Sequence, residues 1–123
     1  PTYTFFRVYK AGDILKKHKD RPSCEISMTV CLRKKRNEKI WAIYADNTDY
    51  KKTHNLGEGH TARVMLDEGD AMVYKGCEVE HWREPYNEGT KLAQVFLHYV
   101  DANGPNAEWK NDKKENKYFA QEK

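Results

Sequence analysis

The feature that most constrains this chain is a two-residue alternation of apolar and polar side chains, in short runs that turn-forming residues interrupt. Side chains of an extended strand point alternately to the two faces of a sheet, so this period predicts β-strands, and the runs are rich in β-branched and aromatic residues. The candidate strands cover residues 3–10, 14–18, 25–32, 40–46, 61–66, 71–74, 79–81 and 91–100. Short strands at this spacing predict an all-β sandwich or jelly roll.

Length and composition limit the chain to one domain with a small core. It has 123 residues, of which 38% are hydrophobic, and its mean hydropathy is −1.02. We place the β-domain at residues 1–105 and treat residues 106–123, which are rich in Lys, Asn and Glu, as a polar C-terminal tail. The three cysteines form no CxxC pair, which disfavours a disulfide framework or a structural zinc site.

Charge and hydropathy exclude several classes of partner. The net charge of +3 is too small to indicate nucleic-acid binding, and the basic cluster at residues 33–36 is typical of a solvated hairpin turn. No apolar run approaches the roughly 20 residues of a membrane-spanning helix. No N-terminal signal peptide is recognisable either. We therefore expect a soluble, cytoplasmic protein without a membrane partner, whose oligomeric state stays open.

The candidate chemistry lies in two histidines and one aspartate. His18 and Asp20 are two residues apart in an extended segment, so their side chains point the same way, and His81 follows a later strand. Two histidines and a carboxylate form the facial triad that holds non-haem Fe(II) and leaves positions open for other ligands. An HxD pair alone is also compatible with a charged surface turn. We expect His98, on the face opposite Lys91, to have a packing or surface role.

Lys91 adds to this pattern because it lies ten residues after His81, at the start of an apolar strand. A lysine that points into a barrel is costly unless it meets an anion. A dicarboxylate cosubstrate bound to the metal by one end would place its far carboxylate within reach of such a side chain. We therefore expect Lys91 to point inward.

These residues resemble the Fe(II)/2-oxoglutarate-dependent dioxygenases, particularly the prolyl 4-hydroxylase-like branch. The family's HxD, distal His and later basic residue are matched by His18, Asp20, His81 and Lys91, over a similarity that runs from about residue 3 to residue 100. The resemblance implies a double-stranded β-helix, a jelly-roll or cupin-like barrel, here with little or no N-terminal helical support. It also implies Fe(II) and 2-oxoglutarate as cofactors, with ascorbate as reductant.

Further site residues follow from the resemblance and from position. The resemblance implies that Tyr9 hydrogen-bonds the far carboxylate of the cosubstrate beside Lys91, and that Ser27 lies near it. Trp82 and Arg83 directly follow the distal histidine, where they could contact substrate at the mouth of the site. Trp82 could equally pack in the core, and Arg83 could pair with a neighbouring glutamate.

The function that follows is hydroxylation of an unidentified substrate, a peptidyl proline or a small molecule, with release of succinate and CO2. The alternative is a non-catalytic, cupin-like β-barrel that binds a ligand. A cupin metal site usually draws histidines from an HxH in one strand, and the sequence contains no HxH. This difference favours the oxygenase.

Overall fold

The computed structural model describes residues 1–55, 61–87 and 89–113 and consists mainly of antiparallel strands. All eight predicted strands are present, with ends that differ by a few residues from those expected. Their bounds are β1 Thr4–Lys10, β2 Leu15–His18, β3 Ile26–Lys34, β4 Ile43–Asp46, β5 Ala62–Val64, β6 Ala71–Tyr74, β7 Glu80–Arg83 and β8 Lys91–Tyr99. One short helix that the sequence pattern did not indicate, α1 at Thr48–Thr53, follows β4.

The strands form two four-stranded sheets. The first sheet has the order β1-β8-β3-β6 and the second has the order β2-β7-β4-β5. Successive strands therefore mostly pass from one sheet to the other, and the result is a β-sandwich of the jelly-roll type. At two of the turns, Gly12 and Gly69 have φ of +89° and +84°, a conformation that a side chain would strain.

The hydrophobic core combines residues of both sheets and of the loops that join their strands. Its largest members are aromatic: Tyr9 packs edge-on against Trp41, and Trp41 stacks on Tyr86 with ring centroids 4.6 Å apart. The Trp41 indole N–H donates to the Glu84 carbonyl at 2.8 Å, which satisfies the one polar atom of that ring. The candidate metal ligands His18, Asp20 and His81 are not members of this apolar cluster.

The inner face of the first sheet is unusually polar. Ser27 and Thr29 of β3, and Gln94 and His98 of β8, are all buried between the sheets. They are paired with one another: the Gln94 amide donates to the Thr29 hydroxyl at 2.5 Å, and Ser27 Oγ lies 2.8 Å from His98 Nδ1. Hydrogen bonding offsets the cost of burying these groups.

The orientation expected for Lys91 is wrong. On β8 the side chains that point inward are Leu92, Gln94, Phe96 and His98, so Lys91 is exposed on the outer face, opposite Lys10 in the strand pairing. The sequence favoured the reverse because Gln94 and His98 are residue types that usually face water. Lys91 therefore lines an outer surface groove together with the basic cluster at residues 33–36, whose first two residues belong to β3.

The C-terminal part of the described chain packs against the sandwich. A 3-10 segment covers Ala107–Lys113, and the Asp112 carboxylate, 5% exposed, accepts hydrogen bonds from Arg21 and Ser23. These contacts join residues that we had assigned to the polar tail to the turn after β2. Residues 114–123 lie outside the described part of the chain. Among the described residues, no helix is long and apolar enough to cross a membrane.

Candidate metal centre

Neighbouring strands of the second sheet bring His18, Asp20 and His81 together, as the sequence predicted. His18 and His81 are paired residues of the neighbouring strands β2 and β7, so both imidazoles project from the same face, with ring centroids 4.3 Å apart. Asp20 follows β2, and its backbone N–H donates to the Gly76 carbonyl at 2.8 Å. That bond holds the carboxylate beside the two rings.

The three side chains converge on one point. His18 Nε2 and His81 Nε2 each lie 3.2 Å from the same oxygen of Asp20, Oδ1. The His18 side chain is 38% exposed, whereas the His81 side chain is 3% exposed. The cluster therefore has one buried side and one side open to solvent.

In each ring, the hydrogen bond at Nδ1 determines which nitrogen carries the proton. His18 Nδ1 lies 2.6 Å from the Lys16 carbonyl and His81 Nδ1 lies 2.9 Å from the Val79 carbonyl, so each Nδ1 carries the proton that it donates. In the neutral rings, both Nε2 atoms then present lone pairs toward a carboxylate. Lone pairs that face an anion require a cation between them, either a proton or a metal ion.

Two further observations fit a metal. Asp20 Oδ2 is buried and has no hydrogen-bond partner among the described residues, which leaves it free to accept a metal bond. Burial alone would lower the pKa of His81, but its hydrogen bonds to Asp20 and Val79 outweigh burial and raise that pKa above its ordinary value. The site therefore attracts positive charge, and the three donors are those that divalent iron accepts.

A second group of potential ligands shares Asp20. One ligand atom each of Asp20, Cys24 and His98 also lie within 4.8 Å of one another. Burial, however, raises the pKa of the Cys24 thiol to about 11, so that it stays protonated near neutral pH, while His98 Nδ1 is engaged by Ser27. His18 and His81, whose free nitrogens face the carboxylate, make the better metal site.

A cavity of about 150 Å3 opens between the sheets beside this cluster. It is several times larger than the roughly 30 Å3 that a water molecule occupies in the liquid. Apolar side chains of both sheets line much of it, with Tyr9 and Arg7 among the polar lining residues. Ser27 faces the same interior, although its hydroxyl is already bound to His98 and to the Cys24 carbonyl.

The positions of Trp82 and Arg83 differ from those expected. Because side chains alternate along β7, His81 and Arg83 point inward, whereas Trp82 points outward, stacks on Tyr44 and lies under Lys17. Arg83 is 2% exposed and packs against Trp41. Neither residue lies at the mouth of the cavity, so the sequence-based placement of both at a substrate entrance is wrong.

Sequence reasoning missed two inner residues, His98 and Arg7. His98 lines the cavity on the inner face of β8, and its pKa is lowered chiefly by burial. Arg7 lines the cavity from β1 and lies over the Tyr9 ring. Its Nη2 atom is 3.9 Å from Oδ2 of Asp13. Side chains alternate along β8, so a prediction with Lys91 on the outer face would also have placed His98 on the inner face. His54 is exposed, and His60 lies outside the described residues.

Comparison with known proteins supports the fold. No protein-family model and no curated protein sequence matches the chain. Among solved structures, a Pseudomonas putida prolyl-4-hydroxylase is similar, with a TM-score of 0.57 and 18% sequence identity. The similarity covers 80% of this chain but 51% of that one, so the chain spans about half the length of the hydroxylase. At this identity, the likeness concerns the fold of the two chains.

Proposed function

We propose that the chain is a 2-oxoglutarate-dependent oxygenase in which His18, Asp20 and His81 hold Fe(II). The observation that carries the proposal is the convergence of two imidazole Nε2 atoms on one carboxylate oxygen, each at 3.2 Å, at the edge of an interior cavity. The order of strands in the two sheets and the similarity to a prolyl-4-hydroxylase support a double-stranded β-helix as the scaffold.

The residues of the chain have separate tasks in this function. The backbone carbonyls at Lys16 and Val79 hold the imidazoles with Nε2 toward the metal, and Asp20 supplies the negative charge that a divalent ion requires. When bound, iron and 2-oxoglutarate supply the activation of oxygen, with succinate and CO2 as products. The apolar lining of the cavity limits the entry of water to the reacting groups.

The exposed side of His18 sets the direction from which substrate arrives. This is the one ligand with an appreciable solvent-facing surface, so the open side of the site is beside β2. A small molecule or a peptide that presents a C–H bond there is the substrate class we propose. Ascorbate acts as the reductant that keeps the iron ferrous.

The test is succinate release from 2-oxoglutarate with Fe(II) and ascorbate, before any substrate is known. Uncoupled turnover should be measurable in the wild-type protein and lost in His81→Gln. It should be unchanged in the matched control His54→Gln, because His54 is exposed on a turn and is not a member of the cluster. Metal binding without succinate in the wild-type protein would contradict the oxygenase and support a non-catalytic binding module.

A further inference from the structure

Strand β1 lies at the edge of the first sheet and pairs with β8 on one side only. In an antiparallel pair, alternate residues exchange hydrogen bonds with the neighbouring strand, while the residues between them point their N–H and C=O groups the other way. Tyr3 and Ala11, which flank β1, both hydrogen-bond toward β8, so the odd-numbered residues do so along the strand. The even-numbered residues of β1 therefore face away from β8.

Both ends of this free edge are closed by hydrogen bonds within the chain. Before β1, the Thr2 N–H donates to the His98 carbonyl at 2.8 Å. At the end of β1, the Lys10 N–H donates to the Asp13 carboxylate, also at 2.8 Å. The residues whose free-edge N–H and C=O groups have no partner in the described part of the chain are Thr4, Phe6 and Val8. Unpaired groups in such a row are a template for pairing with another strand.

The side chains along this edge are apolar and exposed on both faces of the sheet. Phe5, on the inner face, is 51% exposed, and Phe6 and Val8, on the outer face, are 58% and 41% exposed. Edge strands usually avoid pairing through charged side chains or proline. Residues 4–8 contain no proline and one charged residue, Arg7. Covering the three apolar side chains therefore favours contact of this edge with another strand.

The edge is complementary to itself about Phe6. A two-fold axis at Phe6 pairs this residue with its equivalent in a second copy, and pairs Thr4 with Val8. All three residues with free backbone groups are then used, and each pair exchanges two N–H···O bonds. On the inner face, Arg7 lies opposite Phe5 of the second copy, so no two cations face each other.

Other registers fit the free edge less well. An axis at Arg7 places this cation opposite its own equivalent, which is destabilising. An axis at Val8 requires the N–H of Lys10, and an axis at Phe5 requires the N–H of Thr2. Both of these donors are already engaged within the chain.

We propose that two copies of this chain associate through β1, which joins their first sheets into one continuous sheet across a two-fold axis at Phe6. Phe5 and Arg7 line the cavity beside the candidate metal ligands, so each copy places its Phe5 at the rim of the other's cavity. One pair of strands is a small surface for a protein interface, so the dimer is reversible. This association goes beyond the proposed function and does not depend on it.

Sedimentation equilibrium of the full chain measures the association. We expect the average mass of the wild-type protein to rise from the 14.5 kDa of one chain toward twice that value between about 5 and about 500 µM, the range of a weak interface. Phe6→Lys opposes two cations at the axis and should keep the protein monomeric over this range.

The matched control is Val73→Lys. Val73 is 63% exposed on the same sheet as Phe6 but lies on β6, at the opposite edge, so this variant should dimerise like the wild-type protein. Circular dichroism melting checks that both lysine variants are folded.

Two double variants test the register. Thr4→Glu with Val8→Lys places opposite charges across both ends of the interface, whereas Thr4→Glu with Val8→Glu places like charges there. Thr4 and Val8 are both exposed, so neither double variant disturbs the interior of the single chain. We expect the dissociation constant of the dimer to be at least about tenfold lower for the first double variant than for the second.

A wild-type protein that stays monomeric at every concentration overturns the proposal. A dimer that survives Phe6→Lys, or that Val73→Lys also dissociates, overturns it as well, since either result places the contact elsewhere on the molecule. Equal dissociation constants for the two double variants overturn the pairing about Phe6.

Discussion

Asp20 provides the negative charge on which the candidate metal centre depends. Asp20→Asn keeps the shape of the side chain but removes that charge. Losing a residue that only hydrogen-bonds a metal ligand already lowers metal affinity by about 10- to 100-fold. Because Asp20 is itself a proposed ligand, we expect metal affinity to fall by more than about 100-fold. The matched control is Asp46→Asn, because the Asp46 carboxylate is equally buried but pairs with Lys51 at 3.0 Å. Titration with Mn(II) measures both. Equal losses in the two variants would argue against Asp20 as a ligand.

Gly76 permits the close approach of the loop that holds Asp20. A Cβ at this position would lie 2.5 Å from Asp20 Oδ2 and closer still to the Cys24 carbonyl oxygen, which is backbone and cannot move aside. We expect Gly76→Ala to lower the free energy of unfolding by about 1–3 kcal/mol, as overpacking does, and to weaken metal binding. Urea unfolding and Mn(II) titration check the two effects.

Gly69→Ala provides the control for that variant. Nothing lies within 4 Å of a Cβ there, but φ is +84°, so the alanine is strained without touching the site. It should lower stability and leave metal affinity unchanged. If both alanine variants weaken metal binding alike, the effect of Gly76 comes from general destabilisation.

Burial of His98 makes the free energy of unfolding decrease as the pH falls. Burial lowers the pKa of His98, so the folded protein holds it neutral while the unfolded chain takes up a proton as the pH falls through about 6.5. Stability from this group is present above that pH and is lost as the pH falls toward the lowered value. Urea unfolding of the metal-free protein at pH 7.5 and 5.5 should show a larger acid loss in the wild-type protein than in His98→Gln. Equal losses would contradict it.

At the scale of the strand, the side chains of β7 alternate between a buried inner face and a more exposed outer face. Trp82 stacks on Tyr44 across the outer face, with ring centroids 5.6 Å apart, while its neighbours on both sides point inward. We expect Trp82→Ala to lower the free energy of unfolding by at least about 0.5–1.5 kcal/mol, the range that an aromatic pair contributes beyond its buried area. Mn(II) affinity should not change. A large loss of metal binding would mean that the outer face supports the site more directly than the contacts indicate.

The strands could be predicted because a two-residue period marks them locally, and the HxD segment could be predicted to aim His18 and Asp20 together for the same reason. Which side chains of β8 point inward could not be predicted from the sequence. Gln94 and His98 are buried because Thr29, Arg83 and Ser27 hydrogen-bond them, and those partners belong to other strands. The pattern within one strand cannot reveal a partner on another strand. For this reason we expected Lys91 inside the barrel and Arg83 at the mouth of the site.

At the scale of the molecule, the order of strands in each sheet follows from pairings distant in sequence, such as β1 with β8. Alternation alone predicts an all-β sandwich, but it predicts neither that order nor the pairing of His18 with His81 on neighbouring strands. The outer face of the first sheet still shows large apolar side chains, Phe6 at 58% and Val73 at 63% exposure.

The account rests on a metal ion held by His18, Asp20 and His81, and anomalous diffraction from crystals grown with Mn(II) tests it most directly. The account predicts one strong peak with Nε2 of both histidines and a carboxylate oxygen of Asp20 within about 2.0–2.3 Å. A peak on Cys24 and His98 instead, or no peak between the two sheets, would contradict it.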